Sequence, residues 1–255
     1  MCIRDRITCN FLMDRRAPPL ENDDVFKAIR YAVDYEGVRD VVAGGLANVH
    51  QSLILPGMQG HDPAIALRYE YNPEKAKELL ASAGYPDGFD IEIHLRTGSC
   101  GSVPYQKALE FFQNNLQQVG INATIVQSTS AKFWGAIIEE TFRGMGISGL
   151  GATILDGDNV ASVRATGECF MLGLDDVDPA AGERLTEIEV MGRSETDEAK
   201  RHELYREMSD IMVDKCGLMT ILQVRDFTAY KSGIGGLTAA PHAFTLDIRY
   251  LTPPQ

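Results

Sequence analysis

The stretch Tyr71–Phe89, Tyr-Asn-Pro-Glu-Lys-Ala-Lys-Glu-Leu-Leu-Ala-Ser-Ala-Gly-Tyr-Pro-Asp-Gly-Phe, constrains the fold more than any other part of this chain. Asn72 is an N-cap residue, Pro73 suits the first helical turn, and Gly84 supplies a C-terminal stop. Between them Ala76, Leu79, Leu80 and Ala83 recur at helical spacing. One face is therefore small and apolar, and Leu80 is expected inside. Tyr85-Pro86-Asp87-Gly88 reads as a turn. The alternation in Asp90-Ile91-Glu92-Ile93-His94-Leu95-Arg96 then predicts a strand with one buried face. A helix, a tight turn and a strand in that order form one unit of a layered α/β domain.

The rest of the chain continues the alternation. Hydrophobic spacing predicts helices over 25–33, 35–42, 105–119, 131–142, 180–191 and 197–214, and further strands over 121–127, 145–150 and 218–224. Residues 46–70, with Pro56-Gly57 and Asp62-Pro63, read as loop, and Gly98 to Pro104 as a flexible connection. No internal repeat, low-complexity tract or Pro-rich linker divides the sequence.

A chain of 255 residues with 44% hydrophobic content can bury a sizeable core. Its formal charge of -12 argues against a nucleic-acid or anionic-membrane partner, either of which asks for clustered Lys and Arg. No run of 18 apolar residues is present to insert in a bilayer. The segment Met1 to Ile7 lacks the apolar centre of a signal peptide and is expected to be an unnatural start. Five cysteines, at 2, 9, 100, 169 and 216, show no metal-ligand spacing, and their odd number leaves a thiol unpaired in an oxidising compartment. Cys169 and Cys216 could pair, but buried free thiols are the favoured reading.

Several motifs lose to simpler readings. Gly144-Met145-Gly146-Ile147-Ser148-Gly149 satisfies G-x-G-x-x-G, but helix precedes it and loop follows, the reverse of a dinucleotide fingerprint. Small residues there are expected to let the backbone pass close to a neighbour. Asp156-Gly157-Asp158-Asn159 lacks EF-hand spacing and reads as a turn whose carboxylates cap the next helix. His50, His61, His94, His202 and His242 are scattered, so neither a metal site nor a triad has support. Trp134 reads as a packing residue.

The wording of several segments goes further than their physics. Tyr71–Phe89 resembles the Tyr-x-Pro-Glu-Lys-Ala-Lys-x-Leu-Leu-x-x-Ala-Gly-Tyr-Pro-x-Gly-Phe signature of the family 5 extracellular solute-binding proteins, which deliver peptides and other small solutes to ABC importers. Pro18-Pro19-Leu20 with Asp24 to Asp34, Gly44-Gly45-Leu46, Leu116 to Asn122, and Asp197 to Arg201 with Leu204-Tyr205 resemble further family segments in the same order, with Phe26 at a usual Arg position. The similarity runs from about Asn10 onward and looks like the second half of longer members.

The resemblance implies an α/β fold, a type II periplasmic-binding-protein-like lobe with a mixed sheet flanked by helices. It implies a hinge strand and unnatural start at residues 1–11, a C-terminal ligand-binding lobe at 12–224, and at 225–255 a crossover segment belonging mainly to an N-terminal lobe. Asp156 to Asn159 resembles the family's Asp-Pro-Asp-Asn, which follows a cleft loop reading Gly-Trp-Thr-x-Asp in peptide binders. Here that loop is Gly149-Leu150-Gly151-Ala152-Thr153, so the aromatic wall becomes Leu150 and the amine-holding carboxylate becomes Thr153. Arg96 is near where some members pair an Arg with a ligand carboxylate. The expected ligand residues are therefore Arg96, Gly149, Leu150, Thr153 and Asp156, suiting a carboxylate-bearing or neutral polar solute better than a free amine. The implied protein is a monomeric, periplasmic or extracytoplasmic, non-enzymatic receptor for an ABC permease, with no cofactor and no metal. The alternatives are the same module as the sensing part of a transcriptional regulator, or a small α/β hydrolase or transferase.

Overall fold

A computed structural model describes residues 2–152, 154–165, 172–228, 232–236, 238–239, 246–247 and 252. In chain order the elements are β1 (Cys2–Met13), α1 (Asp23–Ala32), α2 (Tyr35–Gly37) running into a π-helical turn (Val38–Val42), β2 (Ala47–Val49), α3 (Pro63–Ala66), α4 (Pro73–Ser82) and β3 (Phe89–Arg96). They continue with β4 (Ser99–Cys100), β5 (Val103–Pro104), α5 (Tyr105–Gln118), β6 (Ile121–Ser128), α6 (Ser130–Ile138), β7 (Met145–Gly151) and α7 (Asp158–Ala165). The last are α8 (Leu174–Val177), α9 (Pro179–Ser194), α10 (Glu198–Lys215), β8 (Leu218–Thr228), β9 (Thr238–Ala239) and β10 (Leu246–Asp247).

The opening helix–turn–strand unit forms as its residues dictate. The Asn72 side chain accepts from Lys75 N at 2.9 Å, Pro73 begins α4, and Gly84 leaves the helix at φ 93°. Ala76 and Leu80 are buried, with Leu79 and Ala83 packed at the margin of the same core. Gly88 is required for two reasons. Its φ is 78°, and a Cβ there would collide with the Gly120 carbonyl, so the two turns abut and β3 and β6 start side by side, Phe89 opposite Ile121.

Six strands form one mixed sheet in the order β2-β8-β1-β7-β3-β6. β3 runs parallel to β6 and β7, whereas β1 is antiparallel to β7 and β8. Alternate residues of β1 serve opposite faces. Cys9, Phe11 and Met13 enter the core built with α1, α4 and α5, where Phe11 stacks on Phe112 at 3.9 Å between centroids. Leu12 instead joins Phe133, Ile137, Phe142, Leu172 and Leu218. A third cluster, including Ile54, Leu55, Leu185, Ile188, Tyr205 and Met208, fastens α7–α10 to the segment after β2. This is the layered α/β lobe with a mixed, helix-flanked sheet that the sequence predicts. At the usual Arg position, the Phe26 ring lies between the Arg15 and Arg30 guanidiniums, at 4.3 and 4.7 Å.

Three local expectations need correction. Residues 46–70 are not loop throughout: β2 adds an edge strand to β8 and α3 forms a short helix, because the partner that orders Ala47–Val49 is far away in sequence. The 98–104 connection is a tight hairpin of β4 and β5. The helix expected to reach 142 ends at Ile138, and Phe142 turns back onto Phe133 at 5.5 Å. β1 crosses the expected boundary at 11/12 and β8 the one at 224/225 without interruption. Cys9, Cys100 and Cys216 are buried free thiols, and Cys169 lies outside the described residues.

Candidate functional site

The carboxyl ends of parallel strands are where open α/β sheets offer a crevice. Here β3 ends at Arg96, beside Ser128 at the end of β6, and β7 ends at Gly151, opposite Ile7 of β1. The strand pattern puts Leu95 inside and leaves Arg96 half-buried at the rim. Its guanidinium carbon is 4.6 Å from the ring centre of Tyr105, 5.2 Å from that of Trp134 and 5.5 Å from that of Phe133. Nη2 donates to the Tyr105 hydroxyl at 3.0 Å, Nε is buried with no hydrogen-bond partner among the described residues, and no described carboxylate pairs with the group. Arg96 also lines a groove of about 190 Å³ with Thr97, Gly98, Pro104, Gln106 and Gln127.

Tyr105, first residue of α5, ties the other expected residues to this point. Its hydroxyl accepts from Gly149 N at 3.1 Å as well as from Arg96. Burial pushes its pKa up, with Cys100 adding and Arg96 opposing, so the phenol stays protonated. A Cβ on Gly149 would lie 3.4 Å from both the Tyr105 hydroxyl and the Cys100 thiol, so that flank is already filled. Gly146 leaves room for the Phe133 ring, 2.8 Å from where its Cβ would be, which is the close packing expected of 144–149. Leu150 is half-buried; its carbonyl accepts from Thr8 Oγ1 at 3.4 Å, and it lines a void of about 20 Å³ with Thr8, Leu53, Leu55, Asn159 and Val160. Ile154 and Leu155 beyond it are exposed. Thr153 lies outside the described residues.

Asp156 has a different task from the one expected of a ligand residue. Both its oxygens take 2.7 Å hydrogen bonds from Arg201, and Oδ1 also accepts from Asp158 N at 2.9 Å, capping α7. Arg201 in turn bonds the Gly192 carbonyl and the Tyr205 hydroxyl. The Arg201 bonds hold the Asp156 carboxyl below its usual range. Its charge is already balanced, so Asp156 ties the start of α7 to α10 and offers no free anion. The structure thus brings Arg96 and Gly149 together through Tyr105, leaves Leu150 on the neighbouring wall, and separates Asp156. Spacing alone missed Tyr105, and Trp134, read as a packing residue, lies over Arg96. The signal available was an Arg at a strand end followed, within one crossover, by an aromatic opening a helix.

Among the described residues no set of three or more His, Cys, Asp or Glu is placed to hold a metal ion, and no helix is long and apolar enough to cross a membrane.

The described fold agrees with comparisons to known proteins. The glutathione-binding protein GsiB of Salmonella typhimurium strain LT2 is 34% identical over 110 residues, which are 42% of this chain and 20% of that protein. The solved structure of HbpA2 from Haemophilus parasuis superposes with a TM-score of 0.77 at 22% identity, over 97% of this chain and 50% of that one. A dipeptide binding protein from Pseudoalteromonas sp. SM9913, solved with Met-Leu, gives 0.80 at 21% identity, over 98% and 49%. This chain therefore spans about half the length of those solved proteins, and the two likenesses concern the fold. The sequence profile of the bacterial extracellular solute-binding proteins, family 5 (middle region), matches residues 5–168. With the profile covering well over half its residues, the chain belongs to the family 5 bacterial extracellular solute-binding proteins.

Proposed function

We propose that this chain is one lobe of a non-enzymatic, monomeric receptor that captures a small polar solute bearing a carboxylate and hands it to an ABC permease outside the cytoplasm. The carrying observation is Arg96: a cation held among three aromatic rings at the strand ends, facing a groove and lacking a carboxylate among the described residues. A carboxylate arriving there forms a charge-assisted hydrogen bond with the guanidinium beside the aromatic rings. GsiB is named for glutathione and the SM9913 protein was solved with Met-Leu; a peptide-like acid fits the same chemistry. In this reading Gly149 and Leu150 contribute to the same site, and Thr153 is proposed as a further ligand residue.

The lobe extends over 12–224, with 1–11 and 225–255 leading to a second lobe. Antiparallel pairing of Cys2–Arg4 with Asp226–Thr228 supports that division, since beyond a register shift before Ile7 the two strands run on together past the last residues paired with β7 and β2. Ligand is held when the two lobes close on it.

Calorimetry on the completed receptor tests the role of Arg96. Glutathione and Met-Leu are compared with their carboxamides, in the parent and in Arg96→Ala. A hydrogen bond to a charged group contributes about 1.5–3 kcal/mol, so amidation is expected to weaken binding roughly 10–150-fold in the parent and hardly at all in the variant. An unchanged ratio in Arg96→Ala removes Arg96 from the ligand.

A further inference from the structure

We propose that Cys9 and Cys100 are a disulfide-forming pair that ties the central strand β1 to the β4–β5 hairpin beside the Arg96 groove.

The placement follows from the strand register. Cys9 of β1 stands directly opposite Gly149 of β7. Side chains at such opposed positions share a face, with Cβ atoms about 4.5–5.5 Å apart. Gly149 has no side chain, and the vacated volume belongs to Cys100: a Cβ built there is 3.4 Å from Cys100 Sγ and 3.5 Å from Cys100 Cα. Cys100 therefore stands where a cross-strand neighbour of Cys9 would stand. Cys100 Sγ reaches the carbonyl of Ser148, the residue before Gly149, at 3.4 Å, and β4 packs directly on β1. Cys216, the other described buried thiol, belongs to a different cluster under α10.

Both cysteines are buried, at 0% and 1% residue exposure, so an oxidant meets Cys100 only before the hairpin docks or when it lifts. Gly98 and Gly101, at φ 145° and 53°, flank Cys100 and give that short segment its turn geometry. The Cys100 thiolate attacks one sulfur of a small-molecule or protein disulfide, forming a mixed disulfide and expelling one thiolate. Cys9 then attacks the Cys100 sulfur and expels the second. Two electrons pass to the oxidant, and the two protons lost by Cys9 and Cys100 end on its two thiols. Family members are described as extracellular, a setting in which such bonds persist.

The bond closes a long loop and fixes the hairpin whose ends, Gly98 and Pro104, line the groove. The test is to refold the protein with cystamine and map its peptides without reduction. The expected result is a Cys9–Cys100 linked peptide that disappears with dithiothreitol, and three of the five thiols left to label in denaturant. Reduction should lower the melting temperature by roughly 5–15 °C, a change absent in Cys9→Ser and in Cys100→Ser. Both thiols free after oxidative refolding, or either joined to another cysteine, overturns the proposal. Should a serine variant fail to fold, peptide mapping of the unaltered protein decides alone. The mapping uses no ligand, so its failure leaves the receptor reading standing.

Discussion

Many arginines in the described structure direct their charge at a carboxylate: Arg16 at Asp14, Arg68 at Asp210 and Asp214, Arg184 at Glu207, Arg201 at Asp156. Arg96 has rings and a phenol instead. A guanidinium stacks flat on aromatic faces while keeping its edge donors for a bidentate anion, which a lysine ammonium cannot reproduce. Arg96→Lys in the completed receptor is therefore expected to lose most of the carboxylate preference that Arg96→Ala loses; calorimetry with an acid and its amide reads it. Leu80 tests the core in the same way. It is 1% exposed on the inner side of α4, and Leu80→Ala should cost about 2–5 kcal/mol in denaturant unfolding. Asp156 gives a prediction with a pH signature. Because Arg201 depresses its folded pKa, its ionised form stabilises the fold above the unfolded value of about 3.9, and that contribution is lost as pH falls through the lower folded value. The melting-temperature gap between Asp156→Asn and the parent should be open at pH 7 and close steadily below pH 4. A gap independent of pH would mean the ion pair contributes nothing.

At the scale of elements, the segment that follows β2 shows how titration couples to packing. His50 is buried with Nε2 on the Ile54 carbonyl at 3.1 Å, its ring parallel to that of His61 at 5.8 Å. Gly60 N donates to Nδ1 of His202 on α10, and Asp62 faces Arg206. Burial, with His61 adding, lowers the His50 pKa to about 4, and burial lowers that of His61 too. For His50 the unfolded chain then binds more protons between about pH 4 and 6.5, so the stability its neutral ring supplies is whole above 6.5 and lost on descent to 4. His50 alone accounts for up to about 3 kcal/mol, and thermal melts from pH 7 to 4.5 should show a fall that His50→Gln largely removes. Elements with local causes were legible in the sequence. α4 and β3 carry their cap, stop and alternation within twenty-six residues, Tyr71–Arg96. β2 was not, because three residues become a strand only when β8 lies beside them. The site divides along the same line. Arg96 stood out at its strand end, whereas Tyr105 and Trp134 reach it through the placement of α5 and α6, which no spacing encodes.

At the scale of the whole molecule, the proposed receptor uses the rim of the sheet as one wall of its ligand site. The Arg96 groove opens at the surface and the void under Leu150 has room for about one water. A pocket that binds a small solute tightly usually buries 70–90% of it, and one wall cannot. This chain spans about half of the solved proteins it resembles in fold, and the proposal assigns the other wall to the remaining length. A micromolar complex corresponds to about 8 kcal/mol; if two walls shared that equally, a single lobe would retain about 4, a dissociation constant in the millimolar range. Titrating one peptide-like acid into this chain and into the completed receptor should therefore show a difference of roughly a thousandfold. Closure on ligand should also appear only in the completed protein, as a compaction in small-angle scattering that this lobe alone does not make. Equal affinities would place all the binding energy in one lobe, and capture by two closing walls would have to be given up.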